Sequence, residues 1–236
     1  MPRKKGFTLV ELSIVLTIIG LLVGAVIVSR SLIRQSMALS IIKEVNGYKS
    51  AFYAFYNKYN SYPGDISNAT SYWTGGVTSN GNNDGIVTNG GTTTGDEAVL
   101  MWQHLSLSGF ISGNYSGTRT AASTTSNTSG TNVPASKVAP NYYSVWHQRF
   151  FDDVLVNSIY ITSSSLTTMT PLDAQIIDSK LDDSVPKSGT VRSKFSDDAA
   201  STTGTGGGAG TSCVIGSSNT YNLTSSTANC EVEFVF

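Results

Sequence analysis

The sequence predicts an α+β fold: a long N-terminal α-helix, apolar enough in its first half to span a membrane, packed on a small antiparallel β-sheet head with long loops. Three observations lead there. Residues 6–28 form an apolar run with one acid, Glu11, inside it. Beyond it, Met37, Ile41, Val45, Tyr48, Phe52, Phe55 and Tyr59 recur three or four residues apart, one face of an amphipathic helix. The rest of the chain is rich in Ser, Thr, Gly and Asn and holds short alternating segments, ending on Glu231-Val-Glu-Phe-Val-Phe236.

The N-terminal run admits several readings. A secretory signal would show a small-residue cleavage site after its core, and Ser29-Arg30-Ser31-Leu32 offers none. A plain anchor fits the length, since about 20 apolar residues cross a bilayer, but it leaves Glu11 unexplained. An acid there costs about 2.5–3.5 kcal/mol on insertion scales. A buried core helix fits poorly with so uniformly apolar a run near the terminus. A sharper reading follows from Gly6. Cleavage after it would remove the basic leader Met1-Pro-Arg-Lys-Lys-Gly6 and expose the amine of Phe7. That amine would lie about 6 Å along a helix axis from Glu11. In an assembly, the amine of one subunit could neutralise Glu11 of its neighbour and set the register of stacking.

Gly6-Phe7-Thr8-Leu9-Val10-Glu11 followed by the apolar run resembles the type IV prepilin signature shared by pilins, minor pilins and type II secretion pseudopilins. The resemblance covers roughly the first 30 residues. It implies cleavage between Gly6 and Phe7 by prepilin peptidase, N-methylation of Phe7, and a role for Glu11 in aligning subunits during assembly. It also implies a structural subunit of a pilus or pseudopilus rather than an enzyme, with other pilin-like subunits and the inner-membrane assembly machinery as partners. Many relatives carry a Pro at the position of Val28; here the helix breakers in the run are Gly20 and Gly24. The expected organisation is a leader at 1–6, a transmembrane and polymerising helix half at 7–29, an amphipathic half at 30–60, and a head at 61–236.

Charge supports this topology. Arg3, Lys4 and Lys5 precede the run and favour a cytoplasmic N-terminus, despite Arg30 and Arg34 beyond it. A single-pass bacterial inner-membrane protein with a periplasmic head is expected. The net charge of −1 and scattered cations give no basic footprint for nucleic acid. Cys213 and Cys230 would close a loop worth about 3 kcal/mol in an oxidising compartment; two buried thiols are the alternative. Pilins often carry a C-terminal disulfide loop, with which the pair is compatible.

No Pro interrupts residues 7–62, and the helix is expected to end near Asn60, before Tyr62-Pro-Gly-Asp65. Residues 60–96 read as a loop. A short helix follows, acidic at Asp96 and Glu97 and ended by Gly109, with Val99, Leu100, Trp102, Leu105 and Phe110 facing inward. Residues 112–139 read as a mobile loop, 141–151 and 153–162 as strands, and 170–181 as a helix with Thr170 as N-cap and Pro171 in the first turn. Residues 196–212 read as a second flexible stretch. The strands would form a meander.

Few motifs in the head carry chemistry. Asn80, Asn82 and Asp84 in Asn80-Gly-Asn-Asn-Asp-Gly85 present oxygens at alternating positions, like the first half of a calcium loop. Gly91 stands where that loop needs Glu, so Asp96 or Glu97 would have to bend back; a plain Gly/Asn turn is the simpler reading. Asp182-Asp183 and Asp197-Asp198 read as solvated loop acids. His104 and His147 are too far apart in sequence to suggest a shared site. Tyr72-Trp73 and Tyr142-Tyr143 read as loop anchors, or as binding surface if the protein is instead a minor tip pilin acting as adhesin or DNA-uptake module. No nucleophile elbow, zincin or P-loop motif is present.

Overall fold

The computed structural model describes residues 6–90, 92–123, 126–138, 140–150, 154–162, 169–195, 213–215, 219–228 and 230–236. Their elements run α1 (Leu9–Tyr59), α2 (Ala69–Tyr72), α3 (Glu97–Leu107), β1 (Tyr142–Phe150), β2 (Val154–Thr162), α4 (Pro171–Leu181), β3 (Val191–Phe195) and β4 (Cys230–Val235). This is the expected α+β fold, a long N-terminal helix with a small antiparallel sheet. The chain divides into two compact units, residues 1–37 and 38–236, and α1 runs through both.

Within the first unit the helix continues through Gly20 and Gly24. Its side chains are exposed on every side, from Leu9 (87%) through Ile19 (51%) to Leu32 (61%). The hydroxyls in the run return to the helix backbone: Ser13 donates to Val10 O at 2.9 Å, Thr17 to Ile14 O at 2.8 Å and Ser29 to Ala25 O at 2.8 Å. That is what an apolar medium demands of a polar side chain.

In the second unit the aromatic stripe becomes the core. Ile41, Val45, Phe52 and Phe55 are buried, joined by Ala38 and Ala51, while Tyr48 and Tyr59 are partly buried. Met37 departs from the expectation at 46% exposure, since cover over the helix begins one residue later. Tyr48 packs edge-on to both Trp102 and Tyr143, with centroids 5.1 Å apart in each case. Such pairs add about 0.5–1.5 kcal/mol beyond area burial. Asn60 ends the helix in the left-handed region, φ 53°, its N–H bonded to Tyr56 O at 2.7 Å.

The sheet order is β1-β2-β4-β3, antiparallel throughout. The expected meander is therefore corrected. β3 was not foreseen, and the C-terminal strand inserts between β2 and β3. Val145, Ile159, Phe234 and Val191 line up across all four strands and are buried. The opposite face carries Ser144, Ser158, Glu231, Glu233 and Arg192, polar yet also buried. Segment 112–139, expected to be mobile, covers part of that face. Tyr143 N–H donates to Pro134 O at 3.0 Å, and Asn127 Nδ2 to Ser144 Oγ at 3.2 Å. Its anchor is Arg119, whose Nε donates to Asp96 Oδ2 at 3.0 Å in a fully buried ion pair. Arg119 also reaches Asn127 Oδ1 at 2.5 Å and Asn89 Oδ1 at 2.6 Å.

α3 and α4 start as expected, whereas α2 lies within residues 60–96, expected to be a loop. Asp96 caps α3 by accepting Ala98 N–H at 3.1 Å, and Thr170 Oγ1 caps α4 by accepting Asp173 N–H at 3.3 Å. α3 ends at Gly109, φ 78°, with Phe110 N–H on Leu105 O and Gly109 N–H on Ser106 O, both 3.0 Å, the paired bonds of a Schellman motif. Cys213 and Cys230 form a disulfide at the start of β4. Residues 152–153 and 196–212, and the side chain of His147, lie outside the described residues.

Candidate functional site

The N-terminal site is built by three residues. Thr8 N–H and Thr8 Oγ1 both donate to Glu11 Oε2 at 2.8 Å, and Glu11 N–H donates back to Thr8 Oγ1 at 3.2 Å. Leu12 N–H closes the first turn on Thr8 O at 3.2 Å. This is a capping box, with Thr8 as N-cap and Glu11 three residues in. The sequence spells it locally as Thr8-Leu-Val-Glu11, a T-x-x-E pattern. Glu11 thus has a partner in its own chain. Its second oxygen, Oε1, accepts no hydrogen bond among the described residues. Gly6 and Phe7 precede the helix, and Phe7 is 91% exposed, so the Gly6–Phe7 bond is accessible.

The calcium candidates do not converge. Asn80 Oδ1 accepts Thr70 N–H at 3.0 Å, towards α2. Asn82 Oδ1 accepts Asp84 N–H at 2.9 Å, and its Nδ2 donates to Asp84 Oδ2 at 2.9 Å. Asp84 instead meets Asp65 and Glu97, with one oxygen of each within 4.8 Å of the others. The sequence named Glu97 as a residue that could bend back, but missed Asp65, which a nineteen-residue separation brings in from Tyr62-Pro-Gly-Asp65. Asp96 goes elsewhere, to Arg119.

Backbone amides already use these carboxylates. Asp65 accepts Asp84 N–H and Gly85 N–H, each at 3.0 Å. Glu97 accepts Asn82 N–H at 3.1 Å, Thr88 N–H at 2.9 Å and Thr88 Oγ1 at 2.7 Å. Burial pushes both acids above the usual carboxylate range, and the charge of Asp65 adds to the effect on Glu97. Gly81 is required here, because a Cβ would stand 2.3 Å from Gly64 O. A hard divalent cation is the ligand such oxygens could hold.

A second acid group closes the turn from α4 to β3. Asp178 accepts Tyr221 O–H at 2.7 Å and Ser184 N–H at 3.2 Å, and burial pushes it up to about 6. Asp182 and Asp183, read as solvated, accept Val191 N–H at 3.0 Å and Val185 N–H at 2.8 Å. They are half-buried or exposed fasteners of this turn. His104 is fully buried rather than presented. Its Nδ1 accepts Gly64 N–H at 2.9 Å, and Nε2 lies 2.9 Å from Thr78 Oγ1, which fixes the Nε2–H tautomer. Tyr142 and Tyr143 are buried anchors, whereas Tyr72 is 52% exposed.

Comparison with known proteins adds one finding. Residues 1–27 match the family model of the prokaryotic N-terminal methylation motif. No curated protein and no solved structure matches the chain significantly. The motif match falls on the same residues that form the capping box and on the exposed apolar helix that follows, so the chain carries the N-terminal methylation motif, the type IV prepilin signature.

Proposed function

We propose that the mature chain is a structural subunit of a type IV pilus-like or type II secretion pseudopilus filament. Prepilin peptidase cuts between Gly6 and Phe7, Phe7 is N-methylated, and the subunit is held in the inner membrane by α1, its head periplasmic, until assembly. The observation that carries this reading is the helix from Leu9 to Leu32. It is apolar and exposed on all sides, with one carboxylate at its start that keeps an oxygen open. Such a surface needs lipid or other subunits around it. In a filament, the Phe7 amine of one subunit takes Glu11 Oε1 of another, offsetting the burial of both charges. Assembly of Glu11→Ala tests it: processing and insertion persist while incorporation into filaments fails. Normal incorporation would overturn the pairing.

One patch favours a ligand-binding tip pilin as the second reading. Exposed Tyr72 lies 5.0 Å from Tyr59, and Lys58 Nζ stands 5.0 Å from the Tyr59 ring and 5.6 Å from Phe110. Loss of host-surface or DNA binding in Tyr72→Ala, with filaments intact, would establish it. For the head loop we propose that backbone amides, rather than calcium, satisfy Asp65, Asp84 and Glu97. A melting temperature of the protein unchanged by millimolar calcium is expected, and a rise of several degrees would assign the ion instead.

A further inference from the structure

The imidazole of His104, fully buried on α3, joins two loops that lie far from it in the chain. Its Nδ1 accepts Gly64 N–H at 2.9 Å. Its Nε2 lies 2.9 Å from Thr78 Oγ1 and 3.3 Å from Ser79 O. The ring packs on Trp73 and Phe55, with centroids 5.4 Å and 6.3 Å away. Thr78 and Ser79 belong to residues 74–80, a stretch whose first four residues are exposed. Trp73 N–H on Ala69 O at 3.0 Å anchors one end of it, and Gly81 N–H on Ile66 O at 2.9 Å the other. Gly75 and Gly76 take φ 89° and 72° with open space around both, so the backbone can swing there without collision. We propose that residues 74–80 are a flap latched by neutral His104, and that acid releases it.

Protonation turns the ring from one donor and one acceptor into two donors. Nδ1–H then confronts Gly64 N–H, and Gly64 is pressed against α3, where a Cβ on it would stand 2.5 Å from Glu97 O. The new cation also needs water. Phe55 and Trp73 close other sides of the ring, so the exposed flap is the side through which water arrives. The flap's remaining fastenings are neutral: Gln103 Nε2 on Val77 O at 2.9 Å, and Asn80 Oδ1 on Thr70 N–H at 3.0 Å.

The ionisable groups on the elements around the ring are Lys58 and Tyr59 on α1, Tyr72 on α2, Asp65 beside Gly64, and Glu97 on α3. Burial, with the Ser79 carbonyl opposing, pushes the imidazole down to about 4, and not these charges. A proton that binds the open form near 6.5 and the latched form near 4 favours opening as pH falls. The open-to-latched ratio should rise about thirtyfold from pH 6 to pH 4. Trp73 also packs on Tyr59 and Tyr72, 5.6 Å and 6.0 Å away, so release reshapes the aromatic patch that those rings form.

Hydrogen exchange of the full-length chain in detergent tests the latch, with protection taken relative to the intrinsic rate at each pH. The Gly64 amide reports the His104 bond, and the Thr70 amide, on Asn80, reports the flap. Between pH 6 and pH 4 both should lose about thirtyfold of their protection, while residues 230–235 keep theirs. In His104→Gln, Thr70 protection should not change over that range. Level protection in the wild type overturns the latch. So does an equal fall in His104→Gln, which assigns the change to Asp65 and Glu97, two acids that burial also raises. A parallel fall at residues 230–235 means that the whole head opens, and overturns the flap. The ring itself gives a reading that needs no variant. Its nitrogen resonances should show the neutral Nε2–H tautomer at pH 6 and titrate together with the loss of Gly64 protection. Titration that leaves Gly64 protected overturns the proposal.

Discussion

Residues 9–33 are the most apolar stretch of the chain and the least buried, whereas the second unit is polar in composition and closes over its polar groups. Leu9, Leu21 and Ile27 stand 87%, 75% and 66% exposed. Arg119, Asp96, Asp178 and His104 are all buried. Burial usually follows hydropathy, and the inversion has a physical reading. The first unit keeps its apolar surface for partners outside the chain. The second satisfies many of its buried polar groups itself, with carboxylates on backbone amides and a guanidinium on three side-chain acceptors.

The largest expected effects break the first unit's dependence on partners. Gly6→Arg should leave the leader attached, read as an unchanged precursor mass. Glu11→Ala should reduce filament incorporation to background. In both, the head's melting temperature should stay within about 1 °C, because both residues belong to the first unit and Gly6 and Glu11 are exposed. A shift of several degrees would mean that the two parts are not energetically separate.

Next come the polar joints of the head. Arg119→Met leaves Asp96 buried without its cation, and breaking a buried pair costs about 3–5 kcal/mol. Denaturant unfolding should show that loss, with leader processing unaffected. Replacing Cys213 and Cys230 with Ser should cost about 3 kcal/mol, since the bond pins the start of the central strand. A loss below about 1 kcal/mol would show that the strand holds without it.

His104 gives the same contrast a pH axis. Burial between Trp73 and Phe55 pushes its pKa down to about 4. A group depressed in the folded state binds its proton more readily when unfolded. Its stabilising contribution is therefore complete above the ordinary value near 6.5 and is lost as pH falls towards 4. The loss amounts to about 3 kcal/mol. Asp178, pushed up to about 6, acts in the opposite sense, contributing most at low pH and losing it as pH rises through 6. The difference between the unfolding curves of the wild type and His104→Gln isolates the histidine. Parallel pH profiles would refute the buried neutral state.

How far the sequence revealed these features depended on distance along the chain. The helix, its end at Asn60, the acidic start of α3, the Thr170 cap and the Gly109 stop rest on neighbouring residues, and each was legible. The β3 strand, Val191-Arg-Ser-Lys-Phe195, has only two apolar residues, and although Ser188-Gly189 marks a turn before it, five mostly polar residues do not distinguish a strand from more loop. Its place beside β4 depends on pairing across more than thirty residues. Asp65 and Asp84 each stood in a recognised motif, but nothing local says that one carboxylate takes the other's amides. Arg119 lay in a Ser/Thr-rich segment whose composition suggests looseness, and only its buried partners show otherwise. The reverse holds for Thr8: its pattern with Glu11 is local, so the cap was legible there although the acid stands out only as a charge in an apolar run.

That cap yields the smallest effect. Thr8→Ala removes the side chain that bonds Glu11 Oε2 and accepts Glu11 N–H. The first turn of α1 should fray, and amide exchange at residues 9–12 of the detergent-solubilised chain should quicken about fivefold. Thr8→Ser keeps the hydroxyl and should exchange at the wild-type rate. The head's amides should not change in either variant, because the first turn contributes nothing to that core. If Thr8→Ala exchanges like the wild type, the Thr8 hydroxyl does not hold the first turn, and the Thr8 N–H alone engages Glu11 within its own chain.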